Sequence, residues 1–230
     1  MEKGTLSLVA TPIGNLEDVT LRCLRILQEV DVVAAEDTRR TGILLSRHGI
    51  RAKALMSFND HNARQRIPHL LDALRVGKSV AVVSDAGTPG INDPAFVLVR
   101  EAIAEGIPVS PIPGPSAVIA ALVCSGLPTD RFRFLGFLPK KKGQRRRLLE
   151  EMAGVDDTVV CFESPHRISS TLEMLAEAMP AHSVVIAREL TKMHEEFLRG
   201  TAAELAGALR GKQLRGELVI LFRKKKGKVD

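Results

Sequence analysis

Apolar residues along the chain fall in short bursts, each ending in a polar or glycine-proline segment. Leu6 to Ala10 is followed by Thr11-Pro12-Ile13-Gly14-Asn15, Val32 to Ala35 by Glu36-Asp37-Thr38-Arg39-Arg40, and Val80 to Val83 by Ser84-Asp85. In Val80 to Val83 four consecutive small apolar residues, three of them valine, predict a strand buried on both faces, as in a parallel sheet. Between these bursts the spacing turns helical. Leu21, Leu24, Ile26, Leu27 and Val30 form one apolar set, with Asp18 or Thr20 as its cap. A second helix runs to about His48, and a third runs from Asn59 or Asp60 to Val76, with Pro68 expected to kink or split it. A fourth spans Phe96 to Glu105 and is closed by Gly106. Ala54 to Phe58 is a weakly signalled strand, and Val109 starts another that Pro111 is expected to cut short. Strands and helices alternating at this spacing predict a parallel α/β domain. Right-handed crossovers then place the loops at 11–15, 36–40, 85–94 and 111–117 on one edge of the sheet.

The cluster Pro111-Ile112-Pro113-Gly114-Pro115-Ser116-Ala117 reads as a rigid connector, and it sets the expected domains at 1–113 and 114–230. The second half restarts the pattern. Strands are expected at Phe132 to Leu135, Thr158 to Phe162, Val184 to Ala187, Phe197-Leu198 and Leu218 to Phe222. Helices are expected to open in the basic run and reach Ala153, to span Ile168 to Ala178, and to run from a Thr201 cap to Leu209. The tail Arg223 to Lys228 is expected to fray.

Charge changes this picture. Residues 1–118 hold 13 Lys/Arg against 13 Asp/Glu, while residues 119–230 hold 20 against 14 and so carry the whole net charge of +6. The second half therefore suits a polyanion, with a solvated basic face as the plain alternative. Six cations in eight residues, Lys140-Lys141-Lys142 and Arg145-Arg146-Arg147 around Gly143, are its densest part. The chain has eight Phe and no Trp or Tyr, so an aromatic stacking platform for RNA is not expected. Cys23, Cys124 and Cys161 have neither metal-ligand nor disulfide spacing. No leader-like segment and no 18-residue apolar run is present, so a soluble cytoplasmic protein without a membrane partner is expected.

The most informative stretch is Val80 to Pro94, VAVVSDAGTPGINDP. Its glycines Gly87 and Gly90 permit close approach of a ligand to the main chain, and its carboxylates and hydroxyls lie at the binding edge of the sheet. An ordinary strand-to-helix loop is the plain alternative. The chain has no GxGxxG fingerprint, and GALRGK at 207–212 is one residue short of a phosphate-binding Walker loop.

The segments VATPIGNLEDVTLR, AEDTRRT, SDAGTPGINDP, PIPGPSA, FLGFLPKK, FESPHR, RELTKMHEE and GELVIL, in this order, resemble the tetrapyrrole methylase-like (class III) methyltransferases. Within them the likeness is to the branch that methylates small-subunit ribosomal RNA. The resemblance runs from Thr5 to Phe222. It implies two α/β domains, the first mainly parallel and the second a mixed sheet, with S-adenosylmethionine in the cleft between them. It further implies a homodimer that methylates the ribose 2′-hydroxyl of a cytidine in the decoding region, on an assembled or late-assembling 30S-type subunit. Members of that branch often carry a further small C-terminal segment beyond the point matching Asp230. Carried over position by position, Pro12, Ile13, Asp85, Gly87, Thr88, Ser116, Ala117, Phe162, Leu218 and Val219 would bind the cofactor.

Such a reaction needs the hydroxyl held in line with the methyl group and a group to receive its proton. Glu163 and His166 are the favoured candidates, with Glu36 and Asp37 behind them. The plain alternatives are that Glu163 caps the helix after Pro165, that His166 is a surface residue, and that Glu36 or Asp37 pairs with Arg39 or Arg40. Lys140, Arg145, Arg146 and Arg167 are the expected phosphate contacts, while Lys192, His194 and Glu195 have no assigned role. A tetrapyrrole methyltransferase of the same fold, or a ribosome-assembly factor without catalysis, are the competing readings.

Overall fold

A computed structural model describes residues 2–225. The chain divides into two compact units, Met1–Ser116 and Ala117–Asp230.

The first unit holds five strands: β1 (Leu6–Val9), β2 (Val32–Ala35), β3 (Leu55–Ser57), β4 (Val80–Val83) and β5 (Val109–Ile112). They form one sheet in the order β3-β2-β4-β1-β5, and every pairing is parallel. Helices α1 (Leu21–Glu29) and α2 (Thr38–Arg47) pack on one face, where Cys23, Leu27, Leu44 and Leu45 meet Val9, Val33, Ala81 and Val83. Helices α3 (Ala63–Arg75) and α4 (Ala95–Ala104) cover the other, where Ile67, Leu70, Leu74 and Leu98 meet Leu6, Ala34, Val80 and Val82. Two covered faces explain why β2 and β4 carry no polar alternation. Thr20 caps α1 by accepting from the Cys23 N–H, as the first of the two expected caps did not.

Two proline expectations are corrected. Pro68 does not split α3, which runs unbroken from Ala63 to Arg75 with Ile67, Leu70 and Leu71 buried around the proline. Pro111 does not end β5, because β5 is the outermost strand and a missing N–H there breaks no ladder.

The second unit begins with α5 (Ala117–Ser125) and builds a mixed sheet from β6 (Phe132–Phe137), β7 (Thr158–Glu163), β8 (His182–Arg188), β9 (Glu196–Gly200) and β10 (Leu218–Lys224). The order is β6-β7-β10-β8-β9; β6 and β7 are parallel and the other pairs antiparallel. Helices α6 (Lys142–Met152), α7 (Ile168–Ala178) and α8 (Ala202–Ala208) close one face through Leu149, Leu172, Leu175 and Leu205. Thr201 caps α8 in a reciprocal capping box with Glu204. Arg223 and Lys224 extend β10, so the expected fraying does not reach them; the rest of that tail, from residue 226, lies outside the described residues. Among the described residues no helix is long and apolar enough to cross a membrane.

Candidate functional site

The strand order of the first unit creates a switch point between β1 and β4. The chain leaves β1 through α1 toward β2, and leaves β4 through α4 toward β5, so neighbouring loops diverge at their carboxyl ends. Such a divergence opens the crevice where α/β sheets bind ligands. The 84–94 loop emerges there and is tied to all three of its neighbours.

Toward β1, Thr11 and Gly87 exchange backbone hydrogen bonds of 2.9 and 3.0 Å. The Thr11 hydroxyl donates to the Ser84 carbonyl at 3.0 Å. Gly87 has φ +79°, a left-handed conformation that other residues adopt only at a cost. Beneath it lie Pro12 and Ile13, both buried, with Ile13 Cγ2 3.5 Å from where a Gly87 side chain would begin. Toward β5, the Thr88 hydroxyl reaches the Pro115 carbonyl at 3.5 Å. Ser116 and Ala117, both half-buried, follow directly.

Toward β2 the contacts are reciprocal. The Asp85 N–H donates to Glu36 Oε2 at 3.0 Å, and the Asp37 N–H donates to Asp85 Oδ1 at 2.9 Å. Arg40 Nε lies 3.6 Å from the other Asp85 oxygen. Asp37 turns away from this pair. It caps α2 and accepts from the Arg39 backbone and guanidinium, which draws its pKa down to about 2. Glu36 is displaced the other way. Burial is the main cause, and the charges of Asp85, Asp93 and Asp60 add to it against the Asp85 N–H bond. Burial likewise raises Asp93, although the Ala95 and Gly90 N–H groups oppose it.

This edge therefore gathers four carboxylates, with Asp37 paired to Arg39, Asp85 facing Arg40, and Glu36 and Asp93 partly desolvated and each feeling some repulsion from neighbouring acids. A ligand carrying positive charge relieves that repulsion, and carboxylates also accept hydrogen bonds from a ribose diol. S-adenosylmethionine has a sulfonium, an ammonium and a ribose diol. The donor set thus fits the cofactor, with Asp85 and the main chain at Gly87-Thr88 as the groups able to hold it.

In the second unit, Phe162 pairs across the sheet with Val219, and Glu163 with Leu218. The two pairs face opposite ways. Leu218 belongs to the core under α6 to α8, so its side chain is structural. Phe162 is half-buried and meets the rings of Phe134 and Phe137 on the other face.

Glu163 is fully buried. Its carboxylate accepts from Arg167 at 2.5 Å, the Thr171 hydroxyl at 2.6 Å and the Ser164 N–H at 2.7 Å. Arg167 also donates to the Leu138 and Pro139 carbonyls, both at 3.2 Å. Arg145 is 4% exposed and donates to the Pro139 carbonyl and to Ser170 Oγ. These three placements correct the expected roles. Glu163 has its oxygens filled by structural partners, and Arg145 and Arg167 fasten the Leu138-Pro139 turn to α7 rather than face solvent. For Arg145 burial decides the matter; Arg167 keeps 22% of its side chain exposed, but its terminal nitrogens are already spent on Glu163 and on the Leu138 and Pro139 carbonyls. A signal for Arg145 was present, since it precedes the core residue Leu149 by one helical turn.

Lys140, Lys141, Lys142, Arg146 and Arg147 are exposed, with Arg146 paired to Glu177 at 2.7 Å. His166 is exposed on the loop before α7, and its N–H donates to Ser164 Oγ at 3.3 Å. The unassigned Lys192 bridges Glu189 and Glu217, while Glu195 accepts from the Thr191 N–H. Glu189 and Thr191 both have left-handed φ, of 50° and 64°, so these bonds hold a strained β8–β9 turn.

The sequence pattern of the Tetrapyrrole (Corrin/Porphyrin) Methylases matches residues 5–206. The ribosomal RNA small subunit methyltransferase I of Halalkalibacterium halodurans is 49% identical over 229 residues, covering 100% of this chain and 79% of that protein. The protein of the same name from Thermotoga maritima is 48% identical over 219 residues, covering 95% of this chain and 98% of that one. Among solved structures, a cobalt precorrin-4 methyltransferase superposes with a TM-score of 0.71 at 20% identity, over 95% of this chain and 94% of its own. The uroporphyrin-III C-methyltransferase of Thermus thermophilus, solved with S-adenosylhomocysteine, gives 0.65 at 19% identity, over 96% and 97%. The topology is that of a two-unit α/β fold, and the family pattern and the relatives at 48–49% identity make it a methyltransferase. The chain belongs to the tetrapyrrole methylase family.

Proposed function

We propose that this chain transfers the methyl group of S-adenosylmethionine to small-subunit ribosomal RNA, at the 2′-hydroxyl of a cytidine ribose in the decoding region. It acts as a homodimer in the cytoplasm, on an assembled or late-assembling 30S-type subunit. The observation that carries this reading is the 48–49% identity to ribosomal RNA small subunit methyltransferase I over 95–100% of the chain. Structures of tetrapyrrole enzymes share the fold at 19–20% identity, which supports the architecture and not their substrate.

In this reading the first unit is the donor site. Asp85, with the backbone of Gly87-Thr88, Pro12-Ile13 and Ser116-Ala117, holds the cofactor, which supplies an electrophilic methyl group. What remains for the protein is to align the ribose oxygen, exclude water and accept the hydroxyl proton. Glu163 acts as a positioning residue, and we assign proton acceptance to the exposed His166, whose imidazole offers a ring nitrogen as acceptor. Lys140 and Arg146, with Lys141, Lys142 and Arg147, take the phosphates.

The test is a labelled-methyl transfer assay offering unmodified small subunits, naked small-subunit RNA and a precorrin in parallel. Label in the RNA, released as a 2′-O-methylnucleoside on hydrolysis, is the expected result. Label in the precorrin alone overturns the substrate, and no transfer to any acceptor favours an assembly factor without catalysis.

A further inference from the structure

The eight phenylalanines are few but not scattered. Phe132, Phe134 and Phe137 lie along β6, and Phe134 and Phe137 flank Phe162 with ring centroids 5.1 and 5.2 Å away. Ordinary strand alternation would send Phe134 and Phe137 to opposite faces. The register shows how they come to share one. Phe134 pairs with Val160 and Phe137 with Phe162, so β6 spends three residues where β7 spends two. The extra residue is taken up at Leu135-Gly136, with Gly136 at φ +66°, the conformation a β-bulge commonly asks of glycine. Without the bulge, Phe137 would turn toward the core that Leu135 and Leu138 enter. Instead it is 61% exposed, on the outermost strand, backed by Phe162. Three residues further on, the exposed cations at Lys140, Lys141 and Lys142 begin.

We propose that the face of Phe137, backed by Phe162, is a stacking surface for an unpaired base of the RNA substrate, whose flanking phosphates lie on the Lys140–Lys142 run. This rests on the reading that the substrate is RNA. On this proposal one supported ring beside a basic run seats a single base, in a chain too poor in aromatics for an extended stacking platform. Lysines attract the backbone of any nucleic acid, whereas a ring face requires an unstacked base, so the surface selects single-stranded over duplex RNA.

The chain's lack of Trp and Tyr gives a clean test. Phe137→Trp introduces the sole indole and keeps a ring. Its emission is expected to quench on titration with a 16-nucleotide single-stranded RNA, and to stay unchanged with the same RNA as a duplex. Phe137→Leu keeps the apolar bulk without a ring. It is expected to bind the single strand about tenfold more weakly, within the range for loss of one base stack, with an unaltered salt slope because no cation is removed. Duplex binding and S-adenosylmethionine affinity are expected to stay within twofold of wild type. Unchanged single-strand affinity in Phe137→Leu, or an indole blind to bound RNA, overturns the proposal while leaving the RNA reading intact. Loss of cofactor affinity in step with RNA affinity also overturns it, by assigning Phe137 to support of Phe162. An indole shift that follows protein concentration without RNA does the same, by assigning the ring to a contact between copies. Wild-type protein that binds neither RNA overturns this proposal, and the substrate reading then stands or falls by methyl transfer to small subunits.

Discussion

Glu163→Gln separates a structural carboxylate from a catalytic one. The wild-type carboxylate is fully enclosed, with Arg167, Thr171 and Ser164 on its two oxygens. Glutamine keeps the shape and one acceptor oxygen. That oxygen can still face Arg167 and the Ser164 N–H, while the Thr171 hydroxyl rotates to accept from the new amide. The loss is therefore chiefly the negative charge opposite Arg167. Breaking a buried pair by removing one partner costs about 3–5 kcal/mol. Arg167 keeps 22% of its side chain exposed and retains the Leu138 and Pro139 carbonyls, so the lower end applies. At about 2–4 °C per kcal/mol for a chain of this size, the melting temperature is expected to fall by roughly 6–12 °C. Circular dichroism melting measures it, alongside methyl transfer at 25 °C, well below the transition. On the structural reading the folded variant retains activity within a few-fold. A general base would show the reverse, an unchanged melting temperature with a rate down by about 10²–10⁴-fold. That reverse pattern refutes the role assigned to Glu163.

Asp85→Ala removes the carboxylate at the switch point and is expected to weaken S-adenosylmethionine binding by about 10–100-fold, as for loss of one charge-assisted hydrogen bond; calorimetric titration of the folded variant checks it. Changing Lys140, Lys141 and Arg146 together to Ala is expected to lower the slope of log affinity for RNA against log salt by about 2–3, with cofactor affinity unaffected. Arg145 is left out of that set because it is buried. The pH dependence of stability carries a sign. Asp31 accepts from the Ser79 N–H and hydroxyl and from Lys53, which draws its pKa down to about 2. A depressed carboxylate stabilises the fold above its unfolded pKa and loses that contribution as pH falls through the folded value. Denaturant melts of Asp31→Asn should therefore show a constant deficit from pH 7 to pH 5, closing as pH drops below about 4 toward 2.

What could be read from the sequence followed how local its cause is. Strands β2 and β4 were legible because burial on both faces leaves an unbroken apolar run, and β1 because Ser7 alone interrupts its apolar residues. The weak third strand is a three-residue edge whose Leu55 is exposed. Pro111 misled because edge position depends on strand order, which no residue of β5 encodes. The site divides the same way. The 84–94 loop announced itself through its glycines and acids, but the exchange of hydrogen bonds between Glu36, Asp37 and Asp85 exists only because β2 lies beside β4. In the basic run, charge marked six cations alike; the one-turn spacing to Leu149 hinted at Arg145, and the packing of α6 and α7 separates it from its exposed neighbours. Phe137 was hidden by the bulge, for which Gly136 was the sole local hint.

The decisive measurement is mass spectrometry of small-subunit RNA from cells lacking this gene, beside cells in which it is restored. One 2′-O-methylcytidine in the decoding region is expected to disappear in the deletion and return on complementation, but not with Asp85→Ala. Identical ribose methylation in both strains would contradict the proposed function.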